Sequence, residues 1–182
     1  LTERTGQTKC VIAGCPMAYV ALGSNLGNAE ETLRSAAIKI ADWSLEQVLG
    51  SSLWRTDPVE CPPDSPLFLN AVMGLQPKLG STPESLLEEL LELELQLGRE
   101  RSGLVNEPRI IDLDLIAFGT ERRNTESLVL PHPRAFERQF VLSPLEEIAP
   151  DLILPGQCKS VSELLEGLSL ETVERLEKSL LV

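Results

Sequence analysis

An α+β fold, an antiparallel sheet with helices packed on one of its faces, is what this sequence predicts, on three observations. Short apolar runs of strand character alternate with two longer stretches whose apolar residues recur at spacings of three and four. Strong punctuation separates them: a Gly-Ser-Asn-Leu-Gly loop at 23–27, a proline-rich stretch at 57–66 and a Thr-Pro-Glu helix start at 82–84. The 182 residues fit one compact domain with a little length left over.

The elements follow in order. Residues 1–16 are polar and without a clear period, so they are expected to be an appendage, with 17–182 forming a single domain. Ala18 to Leu22 reads as a strand that the 23–27 loop ends. Residues 29–43 read as a helix with Leu33, Ala36, Ala37 and Ile40 on one face and Asn28 as its N-cap. Strands are expected at 47–55 and 67–76, on either side of the proline-rich loop. Thr82-Pro83-Glu84 offers a capping hydroxyl, proline at the first helical position and an acid at the positive end of the dipole, for a helix that runs to Gly98. A strand over 110–118 completes the order β-α-β-β-α-β, the split-βαβ or ferredoxin-like plan. Short strands near 127–130 and 140–142 are expected to extend the sheet, and a helical stretch over 160–181 to pack outside it.

Composition narrows the function. The net charge of −12 argues against a nucleic-acid binder or a membrane-surface protein, both of which need a basic face. No run approaches the ~18 apolar residues of a membrane span, and no signal-peptide pattern opens the chain; a cytoplasmic location is expected. Cys10, Cys15, Cys61 and Cys158 are scattered and there is one histidine, a spacing that argues against a zinc site and for free thiols. Seven of the eleven arginines lie between residues 99 and 138, matched there by as many acids, so the rest of the chain carries the whole net charge. Arginines concentrated in an acidic protein suit a small anionic ligand, because the guanidinium fork fits phosphate oxygens; a solvated, salt-bridged surface is the plain alternative.

The chemistry centres on Pro108-Arg109-Ile110-Ile111-Asp112-Leu113-Asp114-Leu115. In a strand, Ile111, Leu113 and Leu115 share one face and point into the core, which leaves Asp112 and Asp114 together on the other, ~7 Å apart at the backbone. Two like charges so placed call for neutralisation. Mg²⁺, held by one or two carboxylates and by substrate phosphates, supplies it; exposed acids paired with Lys or Arg are the alternative. Arg99, Arg101, Arg109, His132 and Arg138 complete the inventory of a phosphoryl-type transfer, which needs cations and positioning more than covalent chemistry. A Walker A lysine is absent after Gly27, and no Gly-x-Ser-x-Gly accompanies His132, which stands between two prolines.

At these residues the chain resembles the 6-hydroxymethyl-7,8-dihydropterin pyrophosphokinases of folate biosynthesis, over nearly all of 17–156. The resemblance rests on residues 21–27, Trp54-Arg55-Thr56-Asp57-Pro58, Phe68-Leu69-Asn70-Ala71-Val72, Gly98-Arg99-Glu100-Arg101, the 108–115 run, and Pro131-His132-Pro133-Arg134 with Glu137-Arg138-Gln139-Phe140. It implies transfer of the β,γ-diphosphate of ATP to the pterin hydroxymethyl group with release of AMP. A monomer that works on small molecules, without nucleic acid or membrane, is expected. The resemblance implies two Mg²⁺ ions on Asp112 and Asp114. Arg99 and Arg109 would steady the triphosphate and its transition state, Arg101 would lie in a closing loop, and His132 and Arg138 would bind nucleotide. Thr56, Pro58, Val59, Phe68, Asn70 and Phe140 would form the pterin pocket, where an aromatic face suits a flat bicycle and an amide suits its edge; for the two phenylalanines, plain core packing is the alternative. Asn106, where some members carry tryptophan, and Asp57, where proline often stands, depart from the family pattern and bear on loop closure.

Two rivals share the fold. RNA-recognition domains have the same element order, but the charge and the lack of an aromatic platform oppose that reading. A non-catalytic small-ligand-sensing domain would have no need of paired acids facing clustered arginines.

Overall fold

The computed structural model describes residues 16–58, 61–62, 65–100, 107–168 and 172–181. In chain order the elements are β1 (Ala18–Ser24), α1 (Ala29–Ala41), β2 (Leu49–Gly50), β3 (Ser52–Thr56), β4 (Phe68–Leu75), α2 (Pro83–Gln96), β5 (Asp112–Phe118), β6 (Arg123–Asn124), β7 (Val129–Leu130), α3 (Gln139–Ile148), α4 (Val161–Glu166) and β8 (Val173–Ser179). The main sheet runs β5-β1-β4-β3-β8, every neighbouring pair antiparallel, with β2 also on β4. This is the expected α+β plan. No helix among the described residues is long and apolar enough to cross a membrane.

Capping chemistry sets the helix starts. The Asn28 side chain accepts the Glu31 N–H at the head of α1. Thr82 and Ser85 exchange hydrogen bonds at the head of α2, with Pro83 in its first turn. The far end of α2 closes through Gly98 at φ +89°: its N–H reaches the Leu95 carbonyl, and the Arg99 N–H reaches the Glu94 carbonyl at 2.9 Å. That αL position favours glycine and delivers Arg99 in a fixed direction.

Alternation along the strands gives two cores. Val20, Leu22, Ala71, Met73, Leu113 and Leu115 face α1 and α2, meeting Leu33, Ile40, Leu86 and Leu90. Tyr19, Val72, Ile116 and Ala117 face the other way and meet Val141, Leu142 and Leu145 of α3, with Val161 of α4. A register shift at Tyr19/Val20 lets Ile116 and Ala117 join the same core although they are consecutive.

Five expectations need correction. Helices pack on both faces, because α3 and α4 cover part of the second one. The strand expected at 47–55 breaks at Ser51, whose hydroxyl accepts the Val72 N–H at 3.0 Å and donates to the Ser52 carbonyl at 2.7 Å. The 127–130 segment forms a separate hairpin with β6 and does not extend the main sheet. Residues 140–142 open α3: Val141, Leu142 and Leu145 recur at helical spacing, and a three-residue apolar run is ambiguous by periodicity alone. The 160–181 stretch starts as a helix, capped by Ser160 and Glu163, but ends at Glu166 and returns as β8 on the edge of β3. There the open ladder of β3 outweighs the helical propensity of a Glu/Leu/Lys-rich segment, and Arg55 pairs with Glu174 across the two strands.

Candidate active site

The second face of the sheet is apolar over half its length and polar over the rest. Cross-strand register puts Asp112, Gly23 and Asn70 in one row, and Asp114, Ala21 and Val72 in the next. Small residues on the central strand leave the floor open. A Cβ at Gly23 would stand 3.1 Å from Asn70 Oδ1, so a side chain there would crowd the amide.

Two pockets open on this floor and share a wall. One is lined by Gly23, Thr56, Phe68, Asn70 and Phe140, together with Asp112 and Asp114. Its Asn70 amide donates to Thr56 Oγ1 at 2.8 Å. The Arg109 guanidinium lies 5.8 Å from the Phe68 ring centroid and that of Arg138 5.3 Å from the Phe140 centroid, so each ring is capped by a cation. The second pocket is lined by Arg99, His132, Arg134, Glu94 and the α2 leucines Leu87 and Leu91. Asp112, Asp114, Arg109 and Arg138 line both.

The electrostatics of that wall are uneven. Asp112 Oδ1 accepts from Arg99 Nη1 at 2.5 Å, and Oδ2 from Arg109 Nη1 at 3.0 Å. Asp114, two residues on, takes no hydrogen bond or ion pair among the described residues; burial, and after it the charge of Asp112, raises its carboxyl above the ordinary range against the pull of His132, Arg138 and Arg109. Burial works against the Arg99 charge, but Asp112 and Glu94 outweigh it and raise the guanidinium. Burial lowers the His132 imidazole, with Arg138 and Arg134 adding to the effect against Asp114 and Asp112. His132 Nδ1 accepts the Arg134 N–H at 3.3 Å, which leaves Nε2 to carry the proton of the neutral ring. Arg109 keeps a buried Nε–H without a partner among the described residues, a donor available to an anion.

Arg99, Arg109, Asp112, Asp114, His132 and Arg138 therefore come together, as do Thr56, Phe68, Asn70 and Phe140. Pro58 is half-buried and does not line either pocket, although its neighbour Asp57 lines the first. Arg101, Val59, Asn106, Cys10 and Cys15 lie outside the described residues. The arginine cluster divides: Arg123 is spent on Glu84 and Glu121 at the surface, where the plain salt-bridge reading holds. Sequence reasoning missed Asn25 and Glu94. Buried Asn25 accepts the Arg109 N–H at 2.7 Å, donates to the Pro66 carbonyl at 3.3 Å, and so ties the entry of β5 to the approach to Phe68. Its place in the 23–27 loop was the available signal.

A ring-sized pocket and a cationic pocket meeting at two carboxylates define a class: an α+β protein with two adjoining pockets on one face of its sheet. The sequence model of the 7,8-dihydro-6-hydroxymethylpterin-pyrophosphokinase family matches residues 19–150, and the chain belongs to that family. It is 40% identical over 161 residues to the 2-amino-4-hydroxy-6-hydroxymethyldihydropteridine pyrophosphokinase of Methylorubrum extorquens, covering 88% of this chain and 98% of that one. The enzyme of the same name from Bacillus subtilis is 43% identical, over 72% of this chain and 77% of its own. A folic acid synthesis protein of Pneumocystis carinii is 40% identical over 81% of this chain, which spans only 20% of that longer protein. In fold, the wild-type HPPK-DHPS chain of Plasmodium falciparum superposes with a TM-score of 0.63 at 12% identity, over 84% of this chain and 44% of that one.

Proposed function

We propose that the protein transfers the diphosphate group of ATP to the hydroxymethyl oxygen of 6-hydroxymethyl-7,8-dihydropterin and releases AMP. The observation that carries this reading is the shared wall: Asp112, Asp114, Arg109 and Arg138 border both the ring-sized pocket and the cationic one. A pterin in the first would face a triphosphate in the second across the carboxylate pair. The hydroxymethyl oxygen bonds to the β-phosphorus, the bond from that phosphorus to the α,β-bridging oxygen breaks with its electron pair leaving on AMP, and the hydroxyl proton passes to solvent.

The chain's own residues have distinct parts in this reading. Phe68 and Phe140 stack on the pterin, and Asn70, oriented by Thr56, reads its edge. Arg99 and Arg109 turn from Asp112 to the phosphates and meet the charge that develops there. His132 donates through Nε2 as a neutral imidazole, and Arg138 supports the nucleotide from the head of α3. Pro58, Val59 and Arg101 stay in the proposed pterin and nucleotide sets on the family resemblance alone. Asp112 and Asp114 fit Mg²⁺, because two hard carboxylates on one strand face, one of them without a hydrogen-bond or ion-pair partner among the described residues and raised by burial, form a donor set that a divalent cation would neutralise. Two Mg²⁺ ions held there would draw the phosphate oxygens together and offset their charge.

The test is to incubate the purified protein with ATP, Mg²⁺ and 6-hydroxymethyl-7,8-dihydropterin and to identify the nucleotide product. AMP formed in step with pterin diphosphate is expected. ADP would mean one-phosphate transfer, and bound pterin without product would favour a sensing domain.

A further inference from the structure

Helix α2 carries several glutamates, of which Glu84, Glu88, Glu89 and Glu92 are exposed while Glu94 is 2% exposed. A buried carboxylate is costly unless it is paired and hydrogen-bonded. Glu94 Oε1 is ion-paired with Arg99 Nη1 and also accepts the Leu113 N–H at 2.7 Å. Leu113 is the residue between Asp112 and Asp114. The Glu94 carbonyl accepts the Arg99 N–H at 2.9 Å as well, so one residue holds Arg99 by its backbone and by its guanidinium. That guanidinium is the one that reaches Asp112 Oδ1. Glu94 borders the cationic pocket and not the ring-sized one, and its side chain is only 3% exposed, so it has almost no surface to offer a ligand.

We propose that Glu94 is the positioning residue for the nucleotide half of the site, fixing Arg99 and the strand between the two aspartates in one grip. It acts through those groups and does not touch substrate. This rests on the pyrophosphokinase reading above, and it goes beyond it in predicting a one-sided defect. Loss of the Glu94 charge should free Arg99 and weaken the handling of ATP while leaving the pterin pocket, which Glu94 does not line, as it was.

Glu94→Gln separates the two arms, because the amide oxygen still accepts from Leu113 while the negative charge that faces Arg99 is gone. AMP formation should fall about tenfold or more in kcat/KM for ATP, with the Kd of 6-hydroxymethylpterin, read by its fluorescence, unchanged within about twofold. In an Arg99→Ala background the same change should cost less than about threefold, since the interaction is already lost. Wild-type kinetics, equal losses in both backgrounds, or a parallel loss of pterin affinity would overturn the proposal. Should Glu94→Gln not fold, Glu94→Asp keeps the charge and shortens the reach by one methylene. It should lose AMP formation with pterin affinity intact, and full activity would overturn the proposal. Wild-type protein that makes no AMP at all would count against the pyrophosphokinase reading itself.

Discussion

The two faces of the sheet use the same strands for different work. Toward α1 and α2, Val20, Leu22, Ala71, Met73, Leu113 and Leu115 form a continuous apolar surface, all of them nearly or fully buried. Toward α3 the same strands present Tyr19, Val72 and Ile116 at one end and Gly23, Asn70, Asp112 and Asp114 at the other. A single residue of register separates core from chemistry, because side chains alternate along a strand. One face thus supplies the folding free energy that lets the other carry a small residue, a buried amide and two close carboxylates. Stability and activity should accordingly respond to different substitutions.

The largest separation is expected at the carboxylates. Asp112→Ala or Asp114→Ala should lower the rate of AMP formation by about a thousandfold or more, roughly 4 kcal/mol at 1.36 kcal/mol per decade. Asp114→Ala should not lower the melting temperature of the ligand-free protein, whereas Asp112→Ala also removes the ion pairs of Arg99 and Arg109 and should lower it. A near-normal rate with Mg²⁺ would remove the pair from the reaction. On the other face, Leu33, fully buried in α1, should show the converse. Leu33→Ala should cost about 2–5 kcal/mol of unfolding free energy while kcat, measured well below the transition, stays within about twofold. Denaturant titration with parallel assays checks both arms, and a kcat that collapsed with stability would show that the faces are not independent.

What the sequence makes legible follows from that division. Asp112 and Asp114 stand out because acids are rare in apolar strands, and alternation assigns them a common face without tertiary information. Arg99 is marked by the preceding glycine that ends α2. Glu94 is harder to see, being one glutamate among several, yet it falls on the apolar stripe of α2 with Leu86, Leu90 and Leu93, where an acid has no solvent to face. The β8 strand gives no comparable local signal. Val173–Ser179 is mostly exposed, and its strand state depends on the unpaired edge of β3 and on the Arg55–Glu174 pair, partners more than a hundred residues away in sequence. Glu147 likewise gathers Ser52, Trp54 and Arg175 onto α3 from distant segments. Local pattern encodes the strands and their faces, whereas edge pairing and buried polar clamps emerge only when the chain has closed.

Smaller effects sharpen the contrast within the active face itself. Asn70→Ala removes the amide oriented by Thr56 and should raise the pterin Kd about tenfold, near 1.4 kcal/mol, while the ATP affinity holds; an unchanged pterin Kd would remove Asn70 from the pocket. The smallest effect has the opposite sign. Asp114 has a folded pKa above its unfolded value, so the folded state binds its proton more tightly. The stability this gives is fully present below the ordinary carboxylate range and is lost as pH rises through the raised value. Ionising this buried carboxyl, with Asp112 beside it, therefore costs the ligand-free protein stability as pH rises. Asp114→Asn removes the charge with little change of shape, and should raise the melting temperature at pH 7 by a few degrees, at about 2–4 °C per kcal/mol for a chain of this size. The gain should vanish at a pH below the carboxylate range, where the wild-type side chain is already neutral. A variant that melts lower than wild type at pH 7, or that gains equally at both pH values, would mean that Asp114 is held by the fold for a structural purpose and that burial and the repulsion from Asp112 do not set its energy.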